Sequence, residues 1–227
     1  MRTKILQLIF VFAAASVINS SAQSVIPFYK NGVSGYKDAA TGQVVIPAKY
    51  RSASTMIPYN KGGDSYAVVS FEGKFGYINQ KGEVLIPFIY DMANIFTEGI
   101  AAVKLNGKYG FINMKNETII PFQYDYAGKV NSGIARIEKN GMWGFLNVST
   151  KAEIALQFYS ANDFSEGLAS VKNADGQWGF INAQGNYVIA PQFTKADTFN
   201  HGRAMVHNGN NYVYINTTGQ VIQTLER

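Results

Sequence analysis

Residues 106–113 read NGKYGFIN, and this stretch decides the fold because the chain repeats it. The pattern returns as NGMWGFLN at 140–147 and as DGQWGFIN at 175–182, and residues 72–79 (EGKFGYIN) carry it upstream. The central glycine therefore recurs at intervals of 34, 34 and 35 residues, at Gly76, Gly110, Gly144 and Gly179. Self-similarity at a fixed period of about 20 to 50 residues is the signature of a repeat architecture.

A second marker keeps the same period. Four glycines, each followed by a run of small and apolar residues (IAAV, IARI, LASV, RAMV), are also 34, 34 and 35 residues apart, at Gly99, Gly133, Gly167 and Gly202. Weaker copies of the first pattern begin at Asn31 and at Asn208. The chain is therefore predicted to contain six tandem units of about 34 residues.

Each unit contains three short runs with strand character, which in one unit are Ile100 to Lys104, Tyr109 to Asn113 and Thr118 to Pro121. An Asn-Gly or Asp-Gly pair separates the first two runs in most units, and these dipeptides accept the positive φ angles of a two-residue hairpin. A Lys-Gly or Gln-Gly turn separates the second run from the third. The third run ends at a proline in several units, so we expect the strand to stop or to meet a sheet edge there. Each unit is predicted to be a three-stranded antiparallel meander.

The arrangement of the units follows from burial. One meander buries only one face, so neighbouring units must stack to bury the rest. Small residues after the marker glycine, such as Ala101 and Ala102, suit the crowded inner strand of a propeller blade, and six blades can close into a ring. An open twisted β-solenoid explains the same pattern. We predict an all-β fold and favour the propeller-like ring slightly, because closure removes exposed sheet edges.

These residues carry a family resemblance. The WGFLN and WGFIN cores at 143–147 and 178–182, the Val-Ile-Pro strand, and the Phe-x-Glu-Gly-(Leu/Ile)-Ala approach at 96–101 and 164–169 resemble the bacterial WG repeat proteins, also called KWG repeats. The likeness covers the chain from about Asn31 to about Ile222 and implies a β-rich array, with little about function. Other residues replace the tryptophan in the remaining units, which indicates atypical caps at the ends: Ser34, Phe75, Tyr109 and Tyr212.

The first residues have the composition of an export signal. Arg2 and Lys4 form a short positive region, residues 5–18 are apolar, and small residues end at Ala22, where a signal peptidase can cut before Gln23. An apolar run of roughly 14 residues is short for a membrane span, which needs about 20. We therefore predict a signal peptide at 1–22, a WG-repeat β domain at 23–227, secretion or a periplasmic location, and no stable membrane insertion after cleavage.

Composition restricts the classes of partner. The 47% hydrophobic content supports a packed core, and the absence of cysteine means that packing and strand pairing must hold an exported fold without disulfides. Without Arg2 and Lys4 the formal charge falls from +5 to +3, and no cluster of Lys and Arg exceeds two residues. This pattern gives no support for nucleic acid as a partner.

No residue set in the sequence points to catalysis. The chain has two histidines, His201 and His207, which we assign to a connection and a strand end, and it has no G-x-S-x-G, Walker, G-x-G-x-x-G or H-E-x-x-H motif. We therefore predict no catalytic residues, no metal site and no cofactor. Five carboxylates recur on the connections between units, where turn and capping roles are favoured over a glycosidase pair: Asp91, Glu98, Asp125, Asp163 and Glu166.

Two features remain as candidate binding elements. An aromatic row can stack a ligand or plug the space between units, and packing is the favoured interpretation: Phe75, Tyr109, Trp143, Trp178 and Tyr212. The interval from Gly35 to Gly76 is 41 residues, and the extra residues fall in a loop that contains Met56, Ile57 and Tyr59. Insertions on repeat scaffolds often lie on the binding face, so these three residues are weak binding candidates, although folding back onto a unit is the simpler explanation.

The predicted function is an exported binding or scaffold module for a protein or an envelope glycan, and not an enzyme. The signal peptide, the regular units and the missing catalytic set support it. Two alternatives stay open: a carboxylate-dependent, glycosidase-like hydrolase on a repeat scaffold, and a purely structural protein of the cell envelope.

Overall fold

The computed structural model describes residues 24–60 and 62–225. Every regular element in these ranges is a β-strand, which confirms the all-β prediction. No helix in the described ranges is long and apolar enough to cross a membrane.

The strands are β1 (Val25–Lys30), β2 (Val33–Asp38), β3 (Val44–Tyr50), β4 (Ser52–Ala53), β5 (Ile57–Pro58), β6 (Ser65–Phe71), β7 (Lys74–Asn79), β8 (Val84–Tyr90), β9 (Met92–Ala93), β10 (Ile100–Leu105), β11 (Lys108–Asn113), β12 (Thr118–Tyr124), β13 (Tyr126–Asn131), β14 (Ile134–Lys139), β15 (Met142–Asn147), β16 (Ala152–Phe158), β17 (Ser160–Ala161), β18 (Ala169–Lys172), β19 (Trp178–Ile181), β20 (Tyr187–Phe193), β21 (Lys195–Ala196), β22 (Arg203–His207), β23 (Tyr212–Asn216) and β24 (Val221–Thr224).

The strands form six antiparallel sheets in chain order, as the repeat predicted. Sheet 1 is β1-β2-β3, sheet 2 is β4-β6-β7-β8 with β5 paired to β6, and sheets 3 to 6 each have four consecutive strands, beginning with β9, β13, β17 and β21. No hydrogen-bonded strand pair among the described residues joins one sheet to another. The choice between a closed ring and an open solenoid therefore stays a prediction.

The units contain one strand more than predicted. In sheets 2 to 6 the connection supplies a strand that pairs with the first long strand of the next meander, and we call it the first strand. Every first strand has alanine at the same register, opposite a valine or isoleucine, at Ala53, Ala93, Ala127, Ala161 and Ala196. Sheet 1 has no first strand among the described residues.

The prediction that the third run stops at its proline was wrong. Strand β12 continues past Pro121 to Tyr124, and Pro121 lies at a bulge, because Tyr109 pairs with Tyr124 while Phe111 pairs with Ile120. The edge part of the prediction holds, since β12 is the outermost strand of its sheet. A bulge on an edge strand tolerates a residue that lacks an N–H donor.

The bulge explains the central glycine of the repeat. Gly110 lies under the bulged strand, where a Cβ atom would stand 2.7 Å from the carbonyl oxygen of Ile120. At Gly144 the same atom would lie 2.6 Å from the Cα atom of Leu156. Both contacts are with backbone, which cannot rotate away, so this position requires glycine for space in sheets 3 and 4.

The core lies between consecutive sheets. Phe111 of sheet 3 packs with Ile137 and Leu146 of sheet 4, and Phe145 of sheet 4 packs with Ile181 of sheet 5. Five such clusters join sheets 1 and 2, 2 and 3, 3 and 4, 4 and 5, and 5 and 6. The predicted stacking of units is therefore confirmed.

Both ends of the array carry polar replacements at these interfaces. Lys37 of sheet 1 occupies the position that Ile112 fills in sheet 3 and Leu146 in sheet 4. At the other end Arg203 stands where sheet 3 has Ile100, with its guanidinium 4.5 Å from the ring centroid of Tyr214. A polar outer face is what terminal repeats of a stacked array require, and it agrees with the predicted caps.

Candidate functional site: a concave face along the first strands

A cavity of about 570 Å³ lies where the first strands of consecutive sheets converge. Residues from sheets 2 and 3, from β13 of sheet 4 and from the connection after β17 of sheet 5 all contribute to its wall. The lining residues are Ser52, Ala53, Ser54, Val68, Phe75, Ala93, Asn94, Ile95, Tyr126, Lys129 and Asp163. Four consecutive sheets line one cavity, so the array is curved with the first strands on its concave side.

A second cavity of about 470 Å³ continues this side of the array into sheet 6. Its polar wall consists of Asn162, Asp197, Thr198, Asn200, His201, Arg203, Met205 and Tyr214. Asn162 and Asp197 occupy the repeat position that Ser54 and Asn94 occupy in the first cavity. We call the lining of the two cavities together the concave face.

Backbone pairing fixes which side chains reach the concave face. The N–H of Asn94 donates to the carbonyl of Ala102 (3.0 Å), and the N–H of Asn162 donates to Ser170 in the same way (2.9 Å). The next residue along the connection is then free to vary, and it does so: Thr55, Ile95, Lys129, Asp163 and Thr198 stand at this position. The repeat thus fixes the backbone geometry of the connection, while the side chain at this position differs in charge and polarity from unit to unit.

Arg136 is the largest departure from the repeat on this side. It stands where sheet 3 has Ala102 and sheet 5 has Ser170. Its Nε atom lies 2.9 Å from Asp163 Oδ1, and its Nη1 donates to the carbonyl of Ala161 (2.5 Å).

Two aromatic rings complete the environment of Arg136. The guanidinium carbon is 4.9 Å from the ring centroid of Trp143 and 5.3 Å from that of Tyr126. The two rings also contact each other, with centroids 5.3 Å apart. Arg136 itself lines neither cavity, but it contacts Asp163 and Tyr126, which line the first one. Because arginine stacks and forms ion pairs at the same time, it supports these two residues from behind the wall.

Two polar side chains on the first cavity have no partner. Among the described residues, the Lys129 ammonium and the Asn94 side-chain amide make no hydrogen bond and no ion pair. Ile95 on the same wall is 41% exposed, and Phe75 is half-buried. Asn94 and Lys129 are both exposed to solvent, so their donors are available to a ligand. Accessible polar groups beside apolar surface are the usual lining of a ligand site.

Asp91 and Asp125, each of which directly follows the last strand of a sheet, form hydrogen bonds and ion pairs. Asp91 Oδ1 accepts a hydrogen bond from Lys74 (2.6 Å), and the N–H of Gly107 donates to its other oxygen (3.0 Å). The Lys74 ammonium, and after it this N–H group, lower the pKa of Asp91 below its ordinary value. Asp125 repeats the arrangement one unit later with Lys108 and the N–H of Asn140.

The glutamates join one unit to the next. The N–H groups of Ser132 and Gly133 donate to the two carboxylate oxygens of Glu98 (2.6 and 2.9 Å). Two units further, the N–H of Gly202 donates to Glu166 (2.9 Å). With Asp163 paired to Arg136, all five predicted carboxylates have structural partners, which agrees with turn and capping roles.

The histidines occupy the predicted places. His201 is exposed on the connection of sheet 6 and lines the second cavity. His207 ends β22, and its Nδ1 lies 2.7 Å from the hydroxyl oxygen of Thr194. Among the described residues, no group of three or more His, Asp or Glu side chains could hold a metal ion.

The aromatic row is less buried than a plug between units would be. Trp143 and Trp178 are half-buried, and Tyr212 is 37% exposed. The fully buried ring is the one that follows the glycine, as at Phe111 and Phe145. Four members of the row each pack at the rim of one core, and one of them, Phe75, also reaches the first cavity.

The inserted loop is anchored to the sheets beneath it. Met56 packs on the core of sheets 1 and 2, and Ile57 belongs to β5 and packs on the core of sheets 2 and 3. Tyr59 is 43% exposed, with its ring centroid 6.1 Å from that of Tyr66. A binding role for these three residues stays a prediction.

Sequence reasoning missed Asn94, Lys129 and Arg136. Arg136 was visible as the one charged residue in the three small and apolar runs that open with a marker glycine followed by Ile or Leu. Lys129 and Asn94 gave no such signal, because their importance depends on first strands that the sequence did not reveal.

Comparisons with known proteins support the repeat and the fold. A family model described as a WG-containing repeat matches residues 75–109, 109–143, 143–176 and 178–212. No curated protein matches the sequence.

Several solved structures are similar in fold. The computationally designed protein Ika8 has a TM-score of 0.52 and 13% identity over 90% of this chain and 75% of its own. Hsv2p of Kluyveromyces lactis has a TM-score of 0.51 and 8% identity over 86% and 71%. At such identities the likeness concerns the fold alone.

Proposed function

Because the chain belongs to the family of WG-containing repeat proteins, we propose that it acts as a binding or scaffold module outside the cytoplasm, with the concave face as its ligand site. A protein or an envelope glycan is the ligand in this proposal, and binding without catalysis is its activity. The export signal predicted at residues 1–22 supports a secreted or periplasmic location.

One observation carries the proposal. Four sheets converge on a cavity of about 570 Å³ in which Lys129 and Asn94 have no partner among the described residues. Pockets of a few hundred Å³ that combine apolar walls with a few convergent polar groups are the usual binding sites of folded proteins. The five carboxylates that the sequence offered as hydrolase candidates have structural partners in turns and between units.

The structure also favours a preorganised site. Arg136 lies behind the wall of the first cavity and holds two lining residues, Asp163 through an ion pair and Tyr126 through a ring contact. A wall that does not rearrange loses less conformational entropy when a ligand binds.

Capture experiments with envelope extracts and a glycan array test the proposal. We expect the wild-type protein to retain a ligand at micromolar concentration, and we expect Lys129→Glu to weaken capture at least about tenfold, because it reverses the charge that faces the cavity. Lys115→Glu is the matched control, since Lys115 lies on the turn before β12 and lines neither cavity. Blank capture and a blank array, or equal losses in both variants, would contradict a concave-face site and favour a purely structural role.

A further inference from the structure

Among the residues that the structure describes, the inner edge of sheet 1 has no strand equivalent to the first strand of the other five sheets. In sheets 2 to 6 a first strand pairs with the first long strand, whereas the equivalent edge of β1 has no partner among the described residues. Register identifies the equivalent groups, because Phe28 faces Gly35 as Val103 faces Gly110. The carbonyls of Pro27 and Tyr29 in β1 thus correspond to those of Ala102 and Lys104 in β10.

These two carbonyls are the groups that a first strand uses. In sheet 3 the N–H of Asn94 donates to Ala102 (3.0 Å) and the N–H of Asp91 donates to Lys104 (2.8 Å). Sheet 5 repeats the pair, from Asn162 to Ser170 and from Tyr159 to Lys172, at 2.9 Å each. An unpaired edge with the same carbonyls in the same register is a template for an added strand.

Pro27 does not block this pairing. A proline has no N–H, but the N–H at this position makes no backbone bond to the first strand in sheet 2. There the equivalent N–H, that of Val68, donates to the Ser54 side chain (3.0 Å). The carbonyl of Val68 accepts the backbone bond, from Ser54 (2.9 Å). Pro27 retains its carbonyl, so the acceptor that the added strand needs is present.

The chain's own candidate for this place falls in the predicted signal peptide. Counting back along the repeat, the positions equivalent to Met92 and Ala93 are Val17 and Ile18. Cleavage after Ala22 would leave the chain beginning at Gln23, just before β1. The predicted signal-peptide cleavage would therefore also remove the chain's own candidate for the first strand of sheet 1.

We propose that the inner edge of β1 binds an extended peptide segment of a partner protein as the missing first strand. The segment carries a small residue opposite Phe28, because all five first strands place alanine at that register. It also carries acidic residues, because sheet 1 has three lysines, Lys30, Lys37 and Lys49, against one aspartate. This inference rests on the proposed function in assuming an exported binding protein, but it names a different surface.

A peptide copied from the chain itself tests the proposal. The probe is YDMANIF, residues 90–96, added to the exported full-length protein after its N-terminus has been read by mass spectrometry. The matched control is the same peptide N-methylated at its Asp and Asn, which keeps the side chains and removes the two N–H donors. We expect the exported chain to start at Gln23. We expect the unmodified peptide to cause NMR shift changes and slowed amide exchange confined to residues 25–30. The methylated peptide is expected to bind at least about tenfold more weakly.

Several results would overturn the proposal. One is that the peptide fails to bind at about 1 mM, and another is that the methylated peptide binds equally well. NMR shifts on the concave face instead of β1 would also contradict it. So would a purified chain that retains residues 1–22, or a dimer whose β1 strands pair with each other. If the peptide fails while Lys129→Glu still weakens capture from extracts, the peptide site is wrong and the concave-face function stands. If capture fails as well, both are wrong.

Discussion

Replacing Gly110 with alanine is expected to destabilise the protein by about 3 kcal/mol, because the added methyl group overlaps a backbone that cannot move aside. The new Cβ would lie 2.7 Å from the Ile120 carbonyl oxygen. Urea unfolding followed by circular dichroism measures the change as a fall in the midpoint at a constant slope.

The matched control for this substitution lies three residues away. Gly107 sits in the hairpin turn with φ of +82°, and a Cβ there would meet no atom within 4 Å. Gly107→Asn is expected to cost less than about 1 kcal/mol, since asparagine tolerates this left-handed conformation. If the two substitutions cost the same, the glycine at 110 is not there for space and the account of the bulge is wrong.

Truncating Phe145 is expected to have an effect of similar size, about 4 kcal/mol, for a different reason. The Phe145 ring is fully buried between sheets 4 and 5, with its centroid 4.6 Å from that of Phe164. Phe145→Ala removes that contact and leaves a cavity in the core. Thermal unfolding is expected to show a correspondingly large fall in the melting temperature.

Trp143→Ala supplies the comparison. Trp143 is half-buried and covers the rim of the same core, where it also faces the Arg136 guanidinium at 4.9 Å. We expect it to lower the melting temperature, but by less than Phe145→Ala, because less apolar area is lost from the interior. A larger fall in melting temperature for Trp143→Ala than for Phe145→Ala would mean that the aromatic row contributes more to the core than the buried rings. That result would contradict the packing described above.

The period of the repeat could be read from sequence because both of its markers are local. Neighbouring backbone leaves no room for a side chain at Gly110, and the hairpin turn places Gly107 at a positive φ angle, so glycine recurs at these positions in most units. Spacing alone therefore predicted six units, their hairpins and their stacking. A fully buried aromatic residue follows the central glycine in every quoted copy: Tyr77, Phe111, Phe145 and Phe180.

The first strands were not predictable in the same way. Most are two residues long, as at Met92–Ala93, which is too short to show an alternating pattern. The proline found in several third runs suggested that the strand ends there, because the bulge that accommodates it depends on pairing with a neighbouring strand.

The concave face was hidden for a related reason. Asn94, Lys129 and Asp163 meet only because the array curves, and each lies about one repeat from the next. A sequence shows that these positions vary, but the curvature that brings them together is a property of packing between sheets. The Arg136 cluster joins two units in the same way, since Asp163 comes from the following connection.

A single sheet made as an isolated peptide tests most directly whether the units depend on one another. Residues 92–124 contain all four strands of sheet 3, but Phe111 and Ile120 pack against Ile137 and Leu146 of the next sheet. Far-UV circular dichroism of this peptide is expected to show an unfolded chain with no cooperative melting, because its apolar face has nothing to cover it. A folded monomeric peptide that melts cooperatively would contradict the account.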